Sequence, residues 1–157
     1  MRLSPIWKAK AEPKCRFFAW TLMHGKILTA NNLLKRGWQH NPTCTLCNLE
    51  FETPKHLCKD CIFSKQVWLL LLCWNNLPGL QNIDHVGSLY TWWRKNRRAV
   101  DKQNCKVFDG IIIYFWWHIW QERNRRTFQN AALQPLQVAL LAQEAIQQHK
   151  IAFQFQS

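Results

Sequence analysis

Residues 44–61 read CTLCNLEFETPKHLCKDC, and the spacing Cys44-x2-Cys47-x8-His56-x4-Cys61 decides how the rest of the chain is organised. Zinc takes four nitrogen or sulfur ligands in a tetrahedron, and a Cys-x2-Cys turn places two thiolates on one ion. A second ligand pair a short loop later closes the shell. A closed shell leaves no position for reactive water, so the pattern points to a structural role. Cys58 complicates the ligand set. Cys58 and Cys61 form a second Cys-x2-Cys pair, so an all-cysteine site of Cys44, Cys47, Cys58 and Cys61 is chemically reasonable, and a disulfide set is a further rival. The seven cysteines are an odd number, and the start MRLSPIWKAKAEPK has no apolar stretch of the signal-peptide kind. Both observations favour a reducing interior, thiols free for metal, and an intracellular rather than secreted chain.

Outward from this loop, the chain has 157 residues, enough for one domain. Hydrophobic residues make up 48% and aromatics 13%, with ten Trp, and rings of that size belong in a core or an interface. Five Gly and six Pro are too few for a turn-rich β protein. The net charge of +12 suggests a polyanionic partner such as RNA or DNA. Its distribution is uneven. Residues 1–43 hold eight Lys or Arg (Arg2, Lys8, Lys10, Lys14, Arg16, Lys26, Lys35, Arg36) against Glu12 alone. Residues 92–106 hold six (Arg94, Lys95, Arg97, Arg98, Lys102, Lys106) against Asp101. The metal segment, 44–75, carries three charges of each sign, so the flanks would supply phosphate contacts and the metal loop would supply shape.

The helical signals are as follows. Pro13 suits a first turn, and the helix it opens runs to Gly25 with Cys15, Phe18, Ala19 and Leu22 on one face, widened by Phe17 and Trp20. Thr29 is an N-cap for a short helix ended by Gly37, with Leu33 and Leu34 as its buried residues. A helix over about 62–75 begins beside the last ligand, so the metal fixes its direction; Val67, Leu70, Leu71 and Trp74 form its stripe. Residues 77–84 read as a loop, and HVGSLYTWWRKN as a short helix. A long helix over about 101–128 carries Ile113, Trp116, Trp117 and Trp120 at helical spacing, a core stripe rather than a base-stacking platform. Its run IIIYFWWHIW is too short to span a bilayer and reads as a buried helix. Glu122 and Arg126 are spaced i,i+4 in the favourable order, worth a few tenths of a kcal/mol if exposed, and Asn124, on or beside the stripe, needs a buried hydrogen-bond partner. Pro135 opens a last amphipathic helix to residue 150, and IAFQFQS at 151–157 reads as loose.

Catalytic patterns are missing. The nine acids are scattered, with no close Asp pair for Mg²⁺, no glycine-rich phosphate loop, no Gly-x-Ser-x-Gly and no His-Glu-x-x-His. Cys15 and His24 could be imagined as a thiol and its base, but both fall on a helix that reads as core. The expectation is therefore no enzyme and no catalytic residue.

At this point the chain resembles a known family. CTLCNLEFETPKHLCKDCIFSKQVW is similar to the core of the reverse transcriptase zinc-binding domain of plant LINE-type retrotransposons. IWKAKAEPKCRFFAWTLMHGKILTANNLLKRGW matches that family's lead-in, and WWHIWQERNRRTFQN resembles the Trp-rich segment that follows. The resemblance implies Zn²⁺ on Cys44, Cys47, His56 and Cys61, because the family carries an apolar or aromatic residue where this chain has Cys58; Glu52 and Thr53 match the family's acidic step. It also implies a role beside a reverse transcriptase, in contact with RNA or DNA. No Tyr-x-Asp-Asp signature and no ribonuclease H-like acidic cluster accompany it. The combined expectation is a mainly α fold, an all-helical domain organised around one structural zinc site. Residues 1–76 would form the zinc-binding domain and 77–157 a helical extension. The alternatives are a module that packs on a reverse transcriptase domain and a transposon remnant without selected function.

Overall fold

The structure, a computed structural model, describes residues 1–155. It is mainly α. Helix α1 spans Ser4–Lys8, α2 Pro13–Met23, α3 Ala30–Lys35, α4 Ile62–Trp74, α5 Leu89–Arg98, α6 Cys105–Phe128 and α7 Pro135–Phe155. Among the described residues the one β pairing is an isolated bridge between Thr43 and Phe51. Proline opens α2 and lies in the first turn of α1, where a missing N–H costs nothing. Gly25 and Gly37, at φ +65° and +81°, end α2 and α3 in the left-handed conformation. The expected loop at 77–84 contains a 3₁₀ turn over Pro78–Asn82.

Helix α6 is the hub. Nine consecutive residues, Phe108 to Trp116, are buried, so the helix has no solvent face there and is packed on by α2, α4 and α7. This is why the apolar run reads without a clean stripe. Ile113 and Trp116 are buried as expected, while Trp117 and Trp120 are half-buried and rest on Phe18 of α2. The segment before α2 crosses α6 at Gly110, where any Cβ would overlap the Lys10 carbonyl; the Lys10 N–H donates to the Lys106 carbonyl at 3.1 Å. Asp109, buried beside it, accepts from Trp93 Nε1 at 2.8 Å and from Arg97 Nε at 2.8 Å, which ties α5 to α6. Among the described residues, no helix is long and apolar enough to cross a membrane.

Several expectations change. Helix α7 continues to Phe155, so most of the stretch 151–157 is helical rather than loose; Gln156 and Ser157 lie outside the described residues. Leu34 is 41% exposed and Leu33 only half-buried, because α3 docks through Thr29 and Ala30 at its start. Phe17 does not widen the core face of α2; it is exposed and stacks on Trp20. The Glu122–Arg126 pair forms, but Glu122 is not at the surface. It is fully buried and accepts from Arg125, from Arg126 Nε at 2.8 Å and from the Leu133 N–H at 2.9 Å. Asn124 finds its partner in Arg123 Nη1, at 3.0 Å.

One hydrophobic cluster runs from Ile6 to Ile146 and takes residues from both sides of position 76. A fragment ending at residue 76 would bare Phe18, Val67, Trp68, Leu71 and Leu72, which are buried in the full chain. We expect that fragment to lack a cooperative melting transition and to self-associate, by circular dichroism and sedimentation. A sharp transition at the full chain's temperature would overturn that expectation.

Candidate metal centre

The metal loop is built by local hydrogen bonds. The Cys44 N–H donates to the Glu50 carbonyl at 2.8 Å, and the Asn48 N–H to the Cys44 carbonyl at 2.8 Å. Asn48 sits at φ +59°, a left-handed position that Asn tolerates better than most residues. This tight turn aims the Cys44 and Cys47 side chains the same way. The Glu52 N–H, donating to the Pro42 carbonyl at 2.9 Å, closes the loop's base.

His56 and Cys61 come from a different device. Residues His56–Asp60 form a π turn, closed by the Cys61 N–H donating to the His56 carbonyl at 2.7 Å. In an α-helix, residues five apart point about 140° from each other. A turn closed from i to i+5 is wider, so the fifth residue comes round towards the first. The His-x4-Cys spacing is the sequence trace of that turn. Thr53 Oγ1 anchors its start by accepting from the His56 N–H at 3.0 Å.

The four side chains meet. One ligand atom from each of Cys44, Cys47, His56 and Cys61 lies within 4.8 Å of all the others. Cys44 Sγ is 3.9 Å from Cys61 Sγ, and Cys47 Sγ is 3.4 Å from His56 Nε2. A tetrahedral zinc shell sets two sulfurs about 3.8 Å apart, and a sulfur and a nitrogen about 3.6 Å. The donor set and its spacing therefore fit one zinc ion. Cys58 is not part of the cluster; it is buried, and burial pushes its thiol up. No cysteine is in a disulfide.

Electrostatics within the cluster divide the ligands: the hydrogen bond with Cys61, then burial, pushes the Cys44 thiol up. A hydrogen bond from the Cys44 thiol, then those from His56 and the Ser64 and Phe63 N–H groups, outweigh burial and hold the Cys61 thiol well below its usual range. Those two N–H groups are the open donors at the start of α4, for which Cys61 is the N-cap residue. Burial disfavours the His56 imidazolium, but hydrogen bonds with Cys61 and Cys47 prevail and raise it.

Helix α6 holds the loop from behind. Arg126 Nη1 donates to the Thr45 carbonyl at 2.9 Å, between the first two cysteines, and its guanidinium lies over Phe63. Trp116 Nε1 donates to the Cys58 carbonyl at 3.3 Å. Arg123 pairs with Glu52, Nη2 to Oε1 at 3.0 Å, with both side chains almost wholly buried. Glu52 Oε1 also accepts the Ala30 N–H at 2.8 Å. Glu52 thus caps α3, whereas Thr29 occupies the N-cap position without a side-chain cap bond. Sequence reasoning placed Glu52 in a motif but missed Arg123 as its partner and Arg126 as a support of the metal loop; three arginines crowded into four residues beside a buried stripe were the available signal.

Residues 2–68 match the family described as zinc-binding in reverse transcriptase. This segment is similar to the zinc-binding domain of reverse transcriptases. No curated protein and no solved structure matches the chain. The zinc-binding domain is distinct from the catalytic domain of reverse transcriptase. Outside the metal cluster, Cys15 is buried with its thiol pushed up to about 12, chiefly by that burial, while His24 sits exposed past the end of α2. His118, half-buried, is pushed down to about 4 by burial and by Arg125 and Lys14, so it stays neutral at physiological pH.

Proposed function

We propose that this chain is a non-catalytic module in which zinc on Cys44, Cys47, His56 and Cys61 holds a helical body in shape, and that the body contacts RNA or DNA through basic side chains outside the metal loop. The observation that carries the reading is where the cations are spent. Arg123 and Arg126 are bound into the metal loop, Arg97 into Asp109, and Lys95 into Asp84. Arg2, Lys8, Lys26, Lys35 and Arg36 of the first flank are exposed and make no ion pair with any described residue. The first flank therefore keeps more free charge than the second.

Zinc-loaded chain should bind single-stranded oligonucleotides with an affinity that falls steeply with salt. Contact with about four phosphates gives a loss of roughly 50-fold between 50 and 200 mM salt. Fluorescence anisotropy measures this, and absent or salt-insensitive binding at low salt would remove the nucleic-acid part of the proposal. A second reading, docking on a reverse transcriptase domain, draws on Trp38, Leu49 and Phe51, which are exposed on and just before the metal loop.

A further inference from the structure

The exposed side of α2 carries rings and ends in a basic cleft. Phe17 stacks on Trp20, ring centroids 6.1 Å apart and planes 21° apart. Trp7 of α1 lies 6.5 Å from the same Trp20, and His24 lies 4.3 Å from it on the next turn. Trp7 is 45% exposed and Phe17 60%, so these rings are not core. Arg16 Nη1 donates to the Trp7 carbonyl at 2.7 Å and fixes α1 against α2. One residue past His24, a cleft of about 240 Å³ is lined by Gly25, Lys26, Asn32, Lys35 and Arg36. Asn32 Nδ2 donates to the Gly25 and Ile27 carbonyls at 2.8 and 2.7 Å and braces its wall. The three cations make no ion pair with any described residue. The ends of α2 and α3 contribute about half a negative charge each, so the cleft remains strongly positive.

Rings followed by a cationic cleft match the two demands of an unpaired strand: flat faces for bases and positive charge for the backbone. We propose that this face binds single-stranded nucleic acid, with bases stacked on Phe17 and Trp7 and a phosphate in the Lys26–Lys35–Arg36 cleft. The proposal rests on the nucleic-acid reading above and deepens it by naming the surface and the strandedness. A duplex offers no free base faces, so it gains only the phosphate term.

The test uses zinc-loaded full chain and labelled 12-nucleotide oligo(dT) and oligo(U), with a duplex of equal length as control. Phe17→Leu keeps apolar bulk and removes the flat face. It should weaken single-strand binding by about 5- to 150-fold, the range of one stacked base, and Phe17→Tyr should restore it. A K26Q/K35Q/R36Q variant should flatten the log–log salt slope by about 0.7, the share of the one phosphate in the cleft. All these positions are exposed, and unchanged melting and zinc content verify that the variants fold. Wild-type binding that survives both Phe17→Leu and the triple variant would place the nucleic-acid site elsewhere and overturn this inference alone. Equal affinity for duplex and single strand would also overturn it. Failure of the wild-type chain to bind any oligonucleotide would remove both readings.

Discussion

Replacing Cys44 with Ser, or His56 with Ala, is expected to abolish stoichiometric zinc binding and to unfold the loop between Pro42 and Cys61. Three of the four donor residues are buried, and of the loop's large apolar side chains Leu46 and Leu57 are buried while Leu49 and Phe51 are exposed, so packing alone holds only part of it. Metal coordination therefore supplies what packing does not, and structural zinc is worth about 10–16 kcal/mol in small domains. Even partial loss, about 4 kcal/mol, lowers the melting temperature of a chain this size by roughly 10 °C. Cys58→Ser should retain one zinc per chain, because Cys58 lies outside the cluster. Metal analysis of the three variants decides the ligand set: zinc kept in His56→Ala and lost in Cys58→Ser would establish the all-cysteine site instead. Acid should act like the ligand variants. Every ligand must be deprotonated to hold zinc, so falling pH protonates His56 and the thiolates and releases the ion. Stability of the loaded chain should therefore fall with pH, and a melting temperature unchanged between pH 7 and pH 4 would contradict a zinc-dependent fold.

The second large effect lies behind the loop. Arg123→Met should destabilise the folded chain by about 3–5 kcal/mol, because it strands the Glu52 carboxylate in the interior without its cation. Glu52→Gln/Arg123→Met should recover a good part of that loss, since no buried charge remains. The pair itself need not add much stability; the penalty is for breaking one side of it. Glu52→Gln alone leaves Arg123 buried and weakens the cap on Ala30, so it should also be costly. Urea denaturation of the three variants checks this. An Arg123→Met curve within about 0.5 kcal/mol of wild type would show that the pair is not buried as described.

Much of this architecture is legible in the chain, and the physical reason differs by element. Helices α2, α4 and α6 announce themselves through Pro13, the stripe at Val67 and Leu71, and the aromatic repeat at Ile113 and Trp116. The metal cluster is legible because tetrahedral coordination constrains spacing. The π turn at His56–Asp60 has no composition of its own and shows only in the four residues between His56 and Cys61. The Glu52–Arg123 pair is illegible locally, since its partners stand 71 residues apart and nothing near either one names the other. Leu33 and Leu34 mislead because helical periodicity gives the faces of a short helix but not which of its ends is docked. The last helix outruns its reading at residue 150, since apolar residues continue through Ile151 without a stop signal.

That separation also sets an order of events during synthesis. All four metal-binding side chains have been added once Cys61 has, whereas Arg123 and Arg126 come from helix α6 far downstream. At about 5–20 residues per second, the 62 residues from Cys61 to Arg123 take roughly 3–12 seconds to add. For that interval the growing chain holds a complete metal loop whose inner acid has no guanidinium against it. The ion can be captured first and the arginines can close over it later, so a cell short of zinc would be tested early, before the core that depends on the loop exists.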